Sequence, residues 1–200
     1  MSITATNLLI TETDLHNKYC NEVLEYYNKP GNSVIISNEL LHEYVKEKYK
    51  NYLLISSTTK CLTAEETIKE YEKYDIVVLD YNLNNNWDFL NNLSQQQKSK
   101  SEFLINHACN IKCPRRKSHY IRISKVNLFN DYKESENFNC MWPSISFLDS
   151  MKRPFIITVD RIQKEYLPKG FTHFKIEGRS LGSALILEFL LYYLTKPEYQ

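Results

Sequence analysis

Short runs of β-branched and other apolar residues alternate with helix-like patterns along almost the whole chain of 200 residues. This alternation is typical of βα units that build a parallel sheet or a barrel. The centres of the runs are continuously apolar, as expected for strands buried on both faces. The sequence therefore predicts an α/β fold with six or seven strands. The predicted strands are residues 2–5, 33–37, 52–56, 75–80, 102–106, 155–159 and 173–176.

Helix signals lie between these runs. Thr63 and Glu66 form a capping box, and Asn38 can cap another helix. Residues 13–27 place apolar side chains on one helical stripe, and residues 180–194 are apolar on most sides, which predicts a final helix packed against the sheet. The members of the stripe are Leu15, Tyr19, Val23 and Tyr26 or Tyr27.

Length and charge limit the classes of protein. A chain of 200 residues is long enough for one domain with a real core, so residues 1–200 are predicted to form a single domain. The 25 Lys and Arg residues nearly balance the 24 Asp and Glu residues, which argues against a dedicated DNA coat protein. The chain has no membrane-spanning apolar run and no leader pattern, and its five cysteines are an odd number. A reduced, cytoplasmic location is expected.

One interval breaks the alternation. Residues 107–153 contain a modest strand-like stretch at 120–124 and no clear helix, and a polar turn is predicted at 94–101. Loops this long inside compact domains are usually functional or disordered. Since the interval holds three of the five cysteines, a functional loop is predicted.

The cysteines of this loop are candidate metal ligands. Cys109 and Cys113 form a C-x3-C pair that lets two thiolates reach one metal ion, and Cys140 is the natural third ligand. Zinc and an iron–sulfur cluster suit the count equally well, whereas the alternative is that Cys109 and Cys113 are ordinary half-buried thiols. The candidates for the fourth ligand are His119, His107 and Cys20.

Polar and basic residues of the same loop are candidates for binding a substrate or an anion. Asn106 and His107 directly follow a predicted strand, and Arg115 and Arg116 follow the second cysteine. Arginine binds phosphate or carboxylate groups bidentately, so a small anionic substrate is predicted. RNA is the other partner considered, although the chain is otherwise neutral.

A second cluster follows the last predicted strand. Lys175 and Glu177 alternate along this strand and therefore share a face, Gly178 permits a tight turn, and Arg179 stands beside the start of the final helix. Catalytic roles are predicted for Lys175, Glu177 and Arg179, and the alternative is a structural ion-pair network. Because carboxyl ends of parallel strands share one edge, four polar residues are expected there. They are Asn7, Asp80, Asn106 and Glu177.

Three segments, in this order and spacing, resemble the collagenase-like peptidase U-thirty-two family and its uncharacterised relatives. They read E-F-L-I-N-H-A-C-N-I-K-C-P-R-R-K-S-H-Y, then P-F-I-I-T-V-D-R-I, and finally G-F-T-H-F-K-I-E-G-R-S, with a cysteine between the first two. The resemblance implies a TIM-type barrel that lacks its first one or two units. Several family members bind a [4Fe–4S] cluster and support oxygen-independent hydroxylation of RNA bases or of a quinone precursor.

Two hypotheses follow for function. The first is a metal or iron–sulfur protein of this family that modifies an RNA base or a small anionic substrate. The second is a non-catalytic binding or accessory module with structural zinc. Proteolysis is disfavoured because the sequence shows no Ser-His-Asp set and no H-E-x-x-H motif. An incomplete barrel leaves strand edges open, which predicts a homodimer or another protein partner at the edge.

Overall fold

The structure is a computed structural model that describes residues 1–107, 109–130, 146–178, 182–196 and 199. The chain divides into two compact units. Unit 1 comprises Met1–Val78 and Pro114–Cys140, and unit 2 comprises Leu79–Cys113 and Met141–Gln200. That residues 1–200 form one domain stays a prediction.

Six strands are present in the described residues, and their pairings within each unit are parallel. In unit 1, β1 pairs with β2, β2 with β3 and β3 with β4. In unit 2, β5 pairs with β6. The mixed α/β class with parallel strands is therefore confirmed. The strands are β1 (Ser2–Ala5), β2 (Ser33–Ile36), β3 (Leu53–Ser56), β4 (Ile76–Val78), β5 (Ser101–Leu104) and β6 (His173–Lys175).

Helices of very different length connect these strands. Short 3-10 turns occupy Asp14–His16, Thr58–Lys60, Tyr81–Leu83 and Leu167–Lys169, and a π-helical turn occupies Ile162–Tyr166. Within the described ranges, no helix is both long and apolar enough to cross a lipid bilayer. The α-helices are α1 (Lys18–Tyr26), α2 (Glu39–Lys48), α3 (Ala64–Glu70), α4 (Trp87–Asn92), α5 (Gln95–Lys100), α6 (Arg116–Phe129), α7 (Phe147–Met151), α8 (Val159–Arg161) and α9 (Ser183–Leu194).

The predicted helix caps of unit 1 are confirmed. The Asn38 side chain accepts a hydrogen bond from the Leu41 N–H at the start of α2. Thr63 and Glu66 form the reciprocal capping box of α3. These contacts satisfy backbone N–H groups that a helix leaves without an internal partner, which explains why the helices begin at these residues.

Unit 1 also buries a charged network between β3 and its neighbouring helices. Lys60 Nζ lies 2.6 Å from Glu70 Oε2 and 2.9 Å from the Tyr74 hydroxyl, and it also contacts Glu39. The Ser56 hydroxyl donates to the Glu70 carboxylate. Burial, together with the Glu39 and Glu70 charges, raises the pKa of Tyr74 far above its ordinary value. The hydroxyl therefore stays protonated and acts as a neutral member of the network.

The core of unit 2 is aromatic and centres on β5. Phe103 is fully buried, and its ring centroid lies 5.0 Å from that of Tyr166, 5.1 Å from that of Phe171 and 5.9 Å from that of Phe174. The Tyr166 hydroxyl donates to the Asn84 carbonyl at 2.7 Å. Burial raises the pKa of Tyr166 to about 12. This cluster fixes the strand from which the candidate site extends.

Three local predictions are wrong. Residues 120–124 lie inside α6 rather than in a strand-like stretch, so the interval 107–153 contains helices and is not a continuous loop. Residues 94–101 form mainly the helix α5, because Ser94 and Gln97 make a second capping box. Residues 155–159 are not a strand, since Thr158 caps α8 at Val159.

The helical stripes are also less buried than predicted. Leu15 is buried, whereas Tyr19 and Tyr26 are largely exposed, because the chain from 13 to 27 divides into a 3-10 turn and α1 with Asn17 as a new cap. The final helix α9 buries Phe189 and leaves several leucines exposed on its outer face. These leucines are Leu187, Leu190, Leu191 and Leu194.

Candidate functional site

The carboxyl edge of the β5–β6 pair carries two buried polar side chains, Asn106 and His107, and the half-buried Glu177. Because the two strands are parallel, the residues that follow them emerge at the same edge. Asn106 and His107 follow β5, and Glu177 follows β6. The structure therefore brings three sequence-predicted site residues together, and their roles stay predictions.

His107 and Glu177 form the charged centre of this site. His107 Nδ1 lies 2.5 Å from Glu177 Oε1, and the His107 side chain is 6% exposed whereas that of Glu177 is 27% exposed. Nδ1 makes no hydrogen bond of good geometry, so the contact is a close electrostatic approach. Two lone pairs would repel at this distance, which indicates that Nδ1 carries the proton.

The other ring nitrogen of His107 faces a different environment. His107 Nε2 is buried and has no hydrogen-bond partner among the described residues. When Nδ1 of a neutral imidazole carries the proton, Nε2 carries the lone pair. A buried acceptor without a partner is costly, so this atom is suited to receive a proton or a ligand.

Aromatic rings hold the imidazole in place. The Tyr81 ring stacks on His107 with centroids 4.1 Å apart and an interplanar angle of 26°. The Phe155 ring lies against both rings, with its centroid 5.3 Å from that of Tyr81 and 6.3 Å from that of His107. Asp80, which follows β4 in the sequence, caps the 3-10 turn that presents Tyr81. Stacking on one face and packing at the side limit rotation of the imidazole ring.

The C-x3-C loop is attached to the same 3-10 turn. The Tyr81 hydroxyl donates to the Asn110 carbonyl at 2.5 Å, and the Lys112 N–H donates to Asn82 Oδ1 at 2.8 Å. Lys112 has a positive φ of 49°, and the Cys113 N–H bonds to the Asn110 carbonyl. Residues 110–113 thus form a tight turn, with Cys109 directly before it and Cys113 at its end.

Both cysteines of this loop are of intermediate exposure. Arg153 Nη1 donates to the Cys109 carbonyl at 3.3 Å. Burial lowers the pKa of Arg153, and the nearby Cys109 and Asp149 act in the opposite direction. Arg153 is therefore a guanidinium that unit 2 holds beside the cysteine loop.

The described residues do not complete a metal site around these thiols. Neither Cys109 nor Cys113 belongs to a set of three ligand-type side chains with donor atoms within 4.8 Å of one another, in the part of the chain that the structure describes. Cys140, the predicted third ligand, lies outside the described residues. Cys20 is exposed on α1 in unit 1. The cysteine site stays a prediction.

One set of three ligand-type side chains does occur in the described residues: Glu39, His42 and Glu43. The donor atoms of this set already have partners in the protein. His42 Nδ1 contacts Glu43 at 2.9 Å and Nε2 contacts the Lys73 carbonyl at 3.3 Å. Glu39 pairs with Lys60 and Lys73. These groups are held by hydrogen bonds and ion pairs within the protein, and we assign no metal to them.

The other loop candidates lie on or beside α6 in unit 1. The Arg116 guanidinium is buried and donates to the Thr58 hydroxyl at 3.0 Å. Arg115 is exposed. His119 stacks on Tyr120, and its pKa is lowered by burial first and then by the charges of Arg122 and Arg115. Arg116 therefore already has a structural partner, and His119 favours its neutral form.

The remaining candidates make other contacts or lie outside the described residues. Lys175 pairs with Glu102 at 3.1 Å across β5 and β6 rather than with Glu177. Asn7 donates to the Ser124 carbonyl of α6 in unit 1. Arg179 lies outside the described residues. The predicted catalytic trio is therefore not seen as one group.

Three residues of the site were missed from the sequence: Tyr81, Phe155 and Arg153. Tyr81 could have been found, because it directly follows the predicted strand 75–80 and its cap Asp80. Phe155 and Arg153 carry no local signal. Their place beside the site comes from bonds over long sequence separations, such as that from Asn85 to the Pro154 carbonyl.

Fold and site together describe a parallel α/β protein with a histidine–carboxylate pair at the carboxyl edge of two strands. Comparisons with models of protein families, with curated proteins and with solved structures give no match. Function is therefore inferred from the chemistry of the residues themselves.

Proposed function

We propose that this protein is an enzyme that moves a proton to or from a small anionic substrate, with His107 Nε2 as the proton acceptor and donor. The observation that carries the proposal is the His107–Glu177 contact of 2.5 Å together with a buried Nε2 that has no partner among the described residues. A carboxylate that orients an imidazole and leaves its second nitrogen available is the recurring arrangement of general acid–base catalysis.

Each neighbour of the imidazole has a role in this proposal. Glu177 keeps the proton on Nδ1 and stabilises the imidazolium that forms when Nε2 takes a second proton. Tyr81 holds the plane of the ring by stacking. Phe155 is buried and limits the access of water, which strengthens electrostatic interactions inside the site. His107 and Glu177 are the proposed catalytic pair.

An anionic substrate fits the charge of Arg153, which belongs to the same unit as His107. Arg153 is held at Cys109, two residues along the chain from His107. RNA is the less favoured substrate, because the net charge is only +1 and the Arg116 guanidinium already binds Thr58.

The resemblance to the peptidase U-thirty-two family extends the proposal to an incomplete TIM-type barrel. The parallel strand pairs, and the position of Asn106, His107 and Glu177 at strand ends, support this arrangement. Association through an open strand edge, as a homodimer or with another protein, belongs to the same proposal, and light scattering of the purified chain tests it.

Solvent deuterium incorporation tests the proton transfer. The protein is incubated in D2O with a panel of carboxylates, phosphate esters and short RNAs, and exchange at carbon is followed by mass spectrometry. For an accepted substrate, we expect His107→Gln and Glu177→Gln to lower the exchange rate by about 10²–10⁴-fold, the usual contribution of a general base.

The control is Glu165→Gln, which removes a carboxylate of unit 2 that pairs with Arg161 outside the site. It should leave the exchange rate unchanged. Equal rates for the wild type and His107→Gln would contradict the proposal. If only the RNA substrates exchanged, the substrate would be a nucleic-acid base instead of a small anion.

The second candidate function is a metal-binding accessory module. The observation that favours it is the position of Cys109 and Cys113 on either side of one tight turn. Cys109 and Cys113 would supply two ligands, with Cys140 as the expected third. Zinc there would be structural, and a cluster would supply redox chemistry. Since the described residues do not close such a site, no chemical step is derived through it.

Anaerobic purification with an absorption spectrum and metal analysis separates these possibilities. If the module binds metal, the wild type should retain about one metal ion or one cluster per chain, and the variant with Cys109→Ser and Cys113→Ser should lose it. Cys61→Ser is the matched control, because Cys61 is also half-buried but lies in unit 1. Retention of metal by the double variant would contradict a site at this loop.

A further inference from the structure

We infer that Asn106 is a positioning residue that sets the Glu177 carboxylate against His107. The inference rests on the proposed function of the His107–Glu177 pair and assigns Asn106 a role other than binding substrate. Asn106 is 1% exposed, so its side chain is enclosed by protein. Its two polar atoms both bond to the backbone of Glu177.

The Asn106 side chain acts as a substitute strand partner. Its Nδ2 donates to the Glu177 carbonyl at 2.8 Å, and its Oδ1 accepts from the Glu177 N–H at 2.8 Å. The last backbone bond of the β5–β6 ladder joins the Ile105 N–H to the Lys175 carbonyl. The amide therefore continues the ladder by one step, at the point where the backbone of β5 no longer supplies it.

The fixed position of Glu177 matters because the chain turns immediately afterwards. Gly178 has a φ of +119°, in the region that only glycine adopts readily. Glu177 is the last residue before this turn, and both bonds from Asn106 go to its backbone. The amide holds its backbone in register with β5.

A single residue thereby places both members of the catalytic pair. His107 is joined to Asn106 by the peptide bond, and Glu177 is joined to it by the two side-chain bonds. A shift of Glu177 by about 1 Å would change the contact between its carboxylate and Nδ1, and misplacement of that size can cost about 10²-fold in rate. Asparagine suits this position because it offers one donor and one acceptor at the reach of a peptide group, whereas aspartate at neutral pH offers only acceptors.

The test is the tautomer of His107, measured from its imidazole 15N chemical shifts in the full-length protein without substrate. Asn106→Ala and Asn106→Asp are compared with the wild type. The matched control is Asn84→Ala, because Asn84 is also a fully buried asparagine whose side chain donates to backbone carbonyls, those of Leu104 and Phe155. Thermal denaturation of each variant reports the loss of stability separately.

We expect the Nδ1–H tautomer to predominate in the wild type and in Asn84→Ala. In both Asn106 variants, the Nε2–H tautomer should increase, and the deuterium exchange rate on an accepted substrate should fall by about 10²-fold. An unchanged tautomer in a folded Asn106→Asp protein would overturn the inference, as would an equal change in Asn84→Ala. If the tautomer responds but no substrate exchanges, the positioning role stands and the proposed function fails.

Discussion

Lys60→Met is expected to lower the free energy of unfolding by about 3–5 kcal/mol, the usual cost of removing one partner of a buried ion pair. The Lys60 and Glu70 side chains are each 7% exposed and lie 2.6 Å apart. Methionine fills a similar volume but leaves the Glu70 carboxylate buried without its main cation. Urea denaturation at neutral pH, followed by circular dichroism, measures the change.

Two further variants distinguish the loss of the buried Lys60 charge from the effect of removing any lysine. Lys46→Met removes an exposed lysine of α2 and should change stability by less than about 0.5 kcal/mol. Adding Glu70→Leu to Lys60→Met should recover part of the lost stability, because both buried charges are then removed together. A loss below about 1 kcal/mol for Lys60→Met alone would show that the network contributes little.

The strands of unit 1 could be predicted because their signals are local. Residues 33–37 are buried almost throughout, so an apolar run was sufficient to identify β2. The capping box of Thr63 and Glu66 is likewise complete within four residues. Where a structure is decided by neighbours in sequence, the sequence pattern is sufficient to find it.

The helix α6 shows where local patterns fail. Residues 120–124 include two isoleucines and resemble a strand, but contacts with distant residues favour the helix. The Ser124 hydroxyl accepts from the Leu8 N–H, and Arg116 binds Thr58, over separations of 116 and 58 residues. Tertiary contacts of this kind outweigh a weak β propensity and are invisible in a short window of sequence.

The site was partly predictable for a similar reason. Asn106, His107 and Glu177 were identified as candidates because polar residues directly after buried strands meet at one sheet edge. Which of them form a pair could not be predicted. Alternation along one strand suggested Lys175 beside Glu177. The structure instead pairs Lys175 diagonally across the two strands with Glu102, and Glu177 lies against His107.

The strand that carries this site depends on one aromatic side chain. Phe103→Ala is expected to lower the free energy of unfolding by about 3–5 kcal/mol, because it removes a fully buried ring and leaves a cavity between Tyr166, Phe171 and Phe174. Chemical denaturation measures the loss, and Phe103→Leu should cost less because it fills most of the space.

Asn106 follows Phe103 by three residues, so a less ordered β5 would also weaken the two hydrogen bonds from Asn106 to the Glu177 backbone. We therefore expect His107 to keep its Nδ1–H tautomer in Phe103→Leu and to lose part of it in Phe103→Ala. Equal stability of the two variants would contradict the central packing role given to this ring.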